Sequence, residues 1–428
     1  MRFAGLVWAT AALGSIASCS SSDFLAQAVR LMEDSPLIDT HVDLPQVMRS
    51  LGRRPVDTIT QLNGTFPGHV DIPRARQGRL GAAFWTVWAP CHYGEDSDQG
   101  PDFNTPTNHV RDALEILDLI QNMISQLPDD LQYARTSGEI WDAFRQGKIA
   151  SLLGLEGTHV LGNSLSILRL YAQLGVRYLT LTHICHSSFA SSAGMGSPLI
   201  PVHEGDGLSD LGKELIRELN RLGILVDLSH TSDNTMRQAI ELSEAPVVWT
   251  HAGSRTVWNH SRNVPDEILD LIGDGPGKKD GVVQSVFFPD FIGPYPGANV
   301  SDVANHIEHI ASIIGRNRVG IASDFDGMAT TVEGLEDVSK YPNLVAELLS
   351  RGWTEGEMRG VLGCNFMRIM DKADEVSERL KARKPSSAIW EKRGDLPSIT
   401  WGGPGNQMYW PRDVKAAVDK MYPHHDEL

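Results

Sequence analysis

Eight short apolar runs between residues 37 and 323 constrain the fold of this chain more than any other feature of its sequence. Most are rich in Val, Ile, Leu and Thr, and they are too short for most helices, so each is predicted to be a buried strand. The runs occupy residues 37–41, 80–88, 149–155, 178–182, 224–228, 246–250, 281–288 and 319–323.

Amphipathic helical patterns lie between these runs. One has leucines at helical spacing over residues 211–222 and ends at Gly223, and another begins after Ser164 and ends at Gly175. Strands that alternate with helices indicate a parallel sheet, and eight such units predict an α/β fold, a (β/α)8 TIM barrel. With 428 residues, 41% of them hydrophobic, the chain is expected to form one catalytic domain over residues 23–385.

A potential metal ligand stands at or just beyond the end of several runs. His41 and Asp43 are two residues apart, so on a strand both would point to one face and could bind the same ion. On its own such a pair is more often a surface or helix-capping arrangement. The other potential ligands at run ends are Glu156, His183, His230 and His251. This recurrence predicts an active site at the C-terminal end of a barrel.

The composition argues against several classes of function. A net charge of −16 and a pI near 5.4 disfavour binding to nucleic acid or to anionic membrane surfaces. No run of eighteen apolar residues follows the first twenty residues, so no membrane span is expected downstream. Four cysteines are too few for a disulfide scaffold. With Cys19 removed in a signal peptide, Cys91, Cys185 and Cys364 would form one bridge and leave one free thiol.

Both ends of the chain are predicted to carry targeting information. Residues 1–18 have a short basic start followed by apolar and small residues, which indicates a signal peptide. The alternatives are an apolar N-terminal helix and a lipoprotein signal acylated at Cys19. Residues 425–428, His-Asp-Glu-Leu, match the retention signal of the endoplasmic reticulum. The predicted location is the lumen of that compartment, with secretion as the alternative and with no GPI anchor.

The C-terminal extension, residues 386–428, contains Trp390, Trp401 and Trp410 and matches no pattern that predicts a fold. We expect it either to pack on the barrel or to cover a second copy of the chain. The sequence therefore leaves both a monomer and a homodimer open.

Six ordered motifs resemble the membrane (renal) dipeptidase family of binuclear zinc peptidases. They are residues 38–43 (IDTHVD), 156–159 (EGTH), 179–183 (LTLTH), 227–230 (DLSH), 262–266 (RNVPD) and 324–327 (DFDG). The similarity extends over residues 25–374. It implies a TIM barrel of the metal-dependent hydrolase type.

Carried onto this chain, the resemblance implies two zinc ions per chain. His41 and Asp43 would bind one ion, His230 and His251 would bind the other, and Glu156 would bridge both. A hydroxide shared by the two ions would be the nucleophile, because zinc lowers the pKa of bound water toward about 7. No Ser or Cys nucleophile is then required, and the sequence contains no Gly-x-Ser-x-Gly elbow.

The resemblance also implies roles for residues that are not ligands. His183 would hold the scissile carbonyl oxygen, and Arg262 would bind the free carboxylate of the substrate through its guanidinium fork. Asp324 would move a proton to the leaving amine. The structural alternatives are a helix cap for Asp324 and a surface ion pair for Arg262. Cys91 and Cys185 match a disulfide of the family.

The expected function is therefore that of a zinc-dependent dipeptidase acting on small dipeptides or cysteinyl-glycine-type conjugates with a free C-terminal carboxylate. One alternative is another barrel amidohydrolase that opens a cyclic amide or lactone, for which Arg262 has no obvious use. The other is a non-catalytic luminal binding protein. That alternative would require a broken ligand position, and all five positions are filled.

Several other histidines and aromatic residues are predicted to be structural. His306 and His309 lie three residues apart in an amphipathic stretch without the spacing of a metalloprotease helix, so both are expected on a solvated face. His159 is expected to lie near the site without binding metal. The aromatic residues expected in the core or the pocket wall are Trp85, Trp88, Trp249 and Phe287.

Overall fold

The computed structural model describes residues 21–91, 108–196, 204–294, 296–391 and 411–421. Its strands are β1 (Leu37–Val42), β2 (Leu80–Val87), β3 (Leu131–Tyr133), β4 (Ile149–Glu156), β5 (Val176–Thr180), β6 (Leu225–Asp227), β7 (Val247–Ala252), β8 (Gly281–Ser285) and β9 (Val319–Ile321). The predicted signal peptide and residues 425–428 lie outside the described residues.

The strands form one parallel sheet in the order β1-β2-β4-β5-β6-β7-β8-β9. A parallel bridge between Val42 and Phe325 joins its two ends, and the Asp324 amide donates to the His41 carbonyl oxygen at 3.1 Å. The sheet is thus a nearly closed barrel, which confirms the predicted fold. Each of the eight predicted strands is present, with bounds shifted by a few residues. The unpredicted strand β3 pairs with residues 149–151 of β4.

Helices follow most strands and cover the outside of the barrel. The α-helices are α1 (Ser21–Asp34), α2 (Leu44–Ser50), α3 (Ile72–Gln77), α4 (His109–Gln126), α5 (Ser137–Arg145), α6 (Leu165–Leu174), α7 (Asp210–Leu222), α8 (Asp233–Leu242), α9 (Asp266–Leu269), α10 (Pro289–Ile292), α11 (Val300–Ile314), α12 (Tyr341–Ser350), α13 (Glu355–Arg359), α14 (Asn365–Leu380) and α15 (Arg412–Met421). Shorter 3-10 and π-helical turns span Pro55–Asn63, Thr158–Leu161, Glu204–Asp206, Arg316–Arg318, Val338–Lys340 and Gly360–Cys364. The predicted boundaries of α6 and α7 are confirmed: Ser164 caps α6, and Gly175 and Gly223 end the two helices at φ 102° and 71°.

An apolar cluster fills the N-terminal half of the barrel. It joins residues of seven strands to α14, and its larger members are Ile38, Phe84, Leu152, Tyr178, Leu225, Val248, Val282, Phe366, Ile369 and Met370. The Phe84 and Phe366 rings meet edge to face at 5.3 Å. Because α14 seals this end, the polar residues at the other ends of the strands are left to form the site.

The expectation that His306 lies on a solvated face is wrong. Its side chain is fully buried, its Nδ1 accepts from the Ser254 amide at 2.8 Å, and its Nε2 lies 2.9 Å from the Ile292 carbonyl oxygen. His309 is partly exposed and pairs with Asp266 at 2.9 Å. His306 therefore ties the loop after β7 to α10 and α11, which sequence periodicity could not reveal.

The start of the C-terminal extension packs on the barrel. Trp390 is only 2% exposed, and Ser386 Oγ donates to Glu214 of α7 at 2.9 Å. Residues 386–391 thus take the first of the two alternatives, whereas Trp401 and Trp410 lie outside the described residues. In the part of the chain that the structure describes, no helix combines the length and apolarity needed to cross a bilayer.

Candidate metal centre

The C-terminal ends of the strands bring all of the predicted site residues together. His41, Glu156 and His251 stand near or at the ends of β1, β4 and β7. The others follow strands within a few residues: Asp43 after β1, His183 after β5, His230 after β6 and Asp324 after β9. All except His183 are buried, and the His183 side chain is 13% exposed.

Glu156 lies at the centre of this group. Its Oε1 is 3.0 Å from His230 Nε2 and 3.5 Å from His251 Nε2. Its Oε2 is 3.6 Å from His41 Nε2 and 4.0 Å from His183 Nε2. Each carboxylate oxygen therefore faces a different set of imidazole nitrogens.

Two further carboxylates lie near the same nitrogen of His41. Its Nε2 is 3.8 Å from Asp43 Oδ1 and 3.9 Å from Asp324 Oδ1. In each of three groups of residues, one ligand atom from every member lies within 4.8 Å of those from the other two. The groups are His41, Asp43 and Asp324; His41, Glu156 and His251; and Glu156, His183 and His230. The indole Nε1 of Trp88 donates to Asp43 Oδ1 at 2.9 Å, so this predicted wall residue also orients a carboxylate.

The electrostatics of the group are those of a cation site. Burial disfavours a charged His41, but Glu156, Asp43 and Asp324 outweigh burial and raise its pKa to about 10. Burial lowers the pKa of both His230 and His251 well below the usual range. Three buried carboxylates thus attract positive charge, while two neighbouring imidazoles stay neutral and able to bind metal. This donor set of imidazole nitrogens and carboxylate oxygens fits a divalent cation of the zinc type.

Arg262 places a guanidinium beside these ligands. It is 1% exposed, its Nη2 lies 3.4 Å from the His251 carbonyl oxygen, and its carbon Cζ lies 5.2 Å from the centre of the Phe291 ring. Among the described residues, neither Nε nor Nη1 has a hydrogen-bond partner. Burial lowers its pKa to about 10, so it stays charged near neutral pH. A buried cation with unused donors is suited to bind an anionic group of a ligand.

A disulfide stands next to His183. Cys91 and Cys185 are bonded, which confirms the pairing implied by the resemblance, and Cys364 is free. Cys91 Sγ lies 3.8 Å from His183 Nδ1, and the Trp88 and His183 ring centres are 5.1 Å apart. His159 Nε2 lies 2.8 Å from the Ala89 carbonyl oxygen. The Cys91–Cys185 disulfide therefore joins the segments after β2 and β5 at the mouth of the barrel.

Backbone strain at two site residues could not be read from the sequence. His230 and Asp324 have φ values of 65° and 62°, in the left-handed region that non-glycine residues rarely adopt. Both stand where the chain turns away from a strand. Such strain persists only where surrounding contacts hold it, and it concentrates at functional sites.

Comparison with known proteins gives a consistent result along the chain. The sequence pattern of the family described as membrane dipeptidase (peptidase family M19) matches residues 25–384. Dipeptidase verJ of Clonostachys rogersoniana is 38% identical over 361 residues, which cover 84% of this chain and 89% of that protein.

Solved structures have the same barrel. A metallopeptidase from Rhodobacter sphaeroides, bound to a phosphinate mimic of the dipeptide L-Ala-D-Ala, is 25% identical with a TM-score of 0.69, over 79% of this chain and 99% of that chain. The probable dipeptidase PvdM from Pseudomonas aeruginosa is 23% identical with a TM-score of 0.71, over 83% of this chain and 99% of that chain. The likeness to PvdM concerns the fold alone.

Proposed function

The chain belongs to the membrane dipeptidase family, peptidase family M19, and we propose that it is a zinc-dependent dipeptidase that cleaves dipeptides with a free C-terminal carboxylate. The observation that carries this proposal is the guanidinium of Arg262, which is buried beside the Glu156 cluster and has two nitrogens without a hydrogen-bond partner in the described part of the chain. The dipeptide mimic bound by the Rhodobacter sphaeroides metallopeptidase supports the same substrate class.

Two zinc ions fit the donor set best. His41 and Asp43 would hold one ion, His230 and His251 the other, and Glu156 both. The two oxygens of Glu156 support this assignment, because Oε2 faces His41 while Oε1 faces His230 and His251. When bound, the ions would polarise the scissile carbonyl and make water a nucleophile near neutral pH.

The remaining residues orient the substrate and move protons. Arg262 binds the terminal carboxylate and thereby limits the substrate to two residues. His183, at the partly exposed edge of the cluster, donates a hydrogen bond to the carbonyl oxygen as negative charge develops on it. Burial raises the pKa of Asp324 to about 7, which suits a group that accepts a proton and passes it to the leaving amine near neutral pH.

Replacing Arg262 with Leu tests the proposed function. The natural protein should hydrolyse dipeptides much faster than the corresponding dipeptide amides, because only the free acid has a carboxylate that can pair with the Arg262 guanidinium. In Arg262→Leu, kcat/KM for the acids should fall about ten- to a hundredfold, about 1.5 to 3 kcal/mol, while the amides change little. The measurement is kcat/KM for matched acid and amide pairs.

Arg262→Lys and Arg169→Leu are the controls for this test. Lys keeps the charge but not the fork, so part of the preference for acids should remain. Arg169 pairs with Glu218 away from the site, and its replacement should leave the preference intact. Equal hydrolysis of acids and amides by the natural protein would exclude the carboxylate clamp.

We place the enzyme in the secretory pathway, in the lumen of the endoplasmic reticulum. The Cys91–Cys185 bond supports an oxidising compartment, since such bonds rarely persist in the cytosol. The sequence of residues 425–428 supports retention along that route.

Deleting residues 425–428 should release active enzyme into the medium. Turnover should be unchanged, because these residues serve as a retention signal and are not part of the active site. In both forms, alkylation under non-reducing conditions should label Cys364, which is free and partly exposed, and should spare Cys91 and Cys185. Cell fractionation and peptide mass spectrometry measure the two outcomes. A cytosolic full-length protein with all three cysteines labelled would contradict this location.

A further inference from the structure

The Nδ1 atoms of two candidate ligands each face a hydroxyl group. His41 Nδ1 lies 3.3 Å from Tyr178 Oη, and His251 Nδ1 lies 3.1 Å from Thr250 Oγ1. A hydroxyl can donate or accept a hydrogen bond. The direction of each contact, and hence the tautomer of each imidazole, depends on where the hydroxyl proton is already used.

Behind His251, that proton goes to Asp227. Thr250 Oγ1 donates to Asp227 Oδ2 at 2.6 Å, and the same oxygen receives the Thr180 hydroxyl at 2.5 Å. The other oxygen, Oδ1, receives the amides of Ser229 and Thr250 at 3.1 and 2.9 Å. A carboxylate that receives four donors has no proton to return. Thr250 can therefore only accept from His251, which places the ring proton on Nδ1.

Behind His41, the hydroxyl of Tyr178 is the group that faces Nδ1. Tyr178 is fully buried, and its Oη lies 3.3 Å from that nitrogen. Because a hydroxyl can donate or accept, this contact fixes the orientation of the His41 ring and not its tautomer.

The strand next to Tyr178 leaves space for this arrangement. A Cβ atom at Gly154 would lie 2.1 Å from Tyr178 Cζ and 2.3 Å from its Oη. Only a residue without a side chain lets the phenol reach across the barrel to His41. His230 differs, because its Nδ1 has no hydrogen-bond partner among the described residues.

We infer that the relay from His251 through Thr250 to Asp227 fixes the His251 imidazole with its proton on Nδ1, and that the Tyr178 hydroxyl orients the His41 ring, so that Nε2 of both rings is directed at Glu156. Tyr178, Thr250 and Asp227 are thereby positioning residues of the metal centre. The inference rests on the proposed function, since an imidazole held in this way is prepared to bind a cation through Nε2.

The test compares Tyr178→Phe and Thr250→Val with the natural protein. Each variant removes one hydroxyl group and keeps the side-chain shape. Affinity for Zn²⁺ and for Co²⁺, measured by competition with a chelator, should fall about ten- to a hundredfold in each. In the zinc-loaded, ¹⁵N-histidine-labelled protein, Thr250→Val should lose the hydrogen-bonded Nδ1–H signal of one ring, and Tyr178→Phe should shift the ring signals of a different histidine.

Three controls separate a positioning role from a general structural one. Tyr171→Phe alters a buried tyrosine whose hydroxyl lies 3.5 Å from the Val110 and Val160 carbonyl oxygens, and it should leave metal affinity unchanged. The melting temperatures of the metal-free variants show whether they fold. If Thr250→Val folds poorly, Thr250→Ser, which keeps the hydroxyl group, should retain full affinity and Thr250→Ala should lose it.

The outcomes distinguish the two proposals. Unchanged metal affinity and unchanged ring signals in both variants would overturn these positioning roles and leave the dipeptidase assignment in place. A natural protein that binds neither Zn²⁺ nor Co²⁺ would overturn the proposed function and, with it, this inference.

Discussion

Glu156→Gln is expected to abolish nearly all dipeptide hydrolysis, with a loss in kcat/KM on the order of a thousandfold or more. Glu156 Oε1 faces His230 and His251 while Oε2 faces His41, so an ionised carboxylate can serve both halves of the site. The amide of Gln has the same shape but only one oxygen, and its NH₂ group would face a cation. A loss of several kcal/mol of transition-state stabilisation corresponds to a rate effect of this size.

Metal content identifies the cause of the lost activity. Elemental analysis of Glu156→Gln should find less than two zinc ions per chain, whereas His41→Ala should chiefly empty one position. Glu115→Gln, at an exposed residue of α4, is the matched control and should retain full activity and full zinc. Two tightly bound zinc ions per chain in Glu156→Gln would contradict the bridging role.

The sequence predicted the barrel well because its strands bury both faces. Continuous apolar runs such as residues 149–155 need no alternation to be recognised, and a potential ligand at the end of several runs marks the side of the barrel that holds the site. Strand β3 escaped prediction because it has three residues, one of them exposed, and its pairing depends on an edge of β4 that β5 leaves uncovered. The sequence of residues 131–133 contains no pattern that predicts pairing with this edge of β4.

The contacts that orient the ligands could not be predicted for a different reason. In the sequence, Tyr178 is one more large residue in an apolar run and Gly154 is one more small residue. The phenol nevertheless reaches His41 only because Gly154 leaves the space. This contact involves residues from three strands, and no sequence pattern within a single strand predicts it. The buried position of His306 is similar, since its partners Ser254 and Ile292 lie far from it in the chain.

The position of Asp324 suits two different roles, that of a metal ligand and that of a proton carrier. Its Oδ1 lies 3.9 Å from His41 Nε2, close enough to complete a ligand group with His41 and Asp43. A Cβ at Gly327 would lie 2.6 Å from that oxygen and 2.3 Å from Asp43 Oδ2, so the glycine lets the two carboxylates approach each other. A metal ligand and a proton carrier would respond differently to loss of the charge.

Asp324→Asn should therefore keep the metal and lose the reaction. Asn is among the residues best suited to the φ of 62° at this position, so the turn after β9 should survive the substitution. Without a group that accepts and returns a proton, kcat should fall about a hundred- to ten-thousandfold with little change in KM. Zinc content should match the natural protein, in contrast to Glu156→Gln. Substrates whose leaving amine has a low pKa should lose less, since they need less protonation. A loss of zinc parallel to the loss of activity would instead make Asp324 a ligand, and the proton transfer would have to be assigned to another residue.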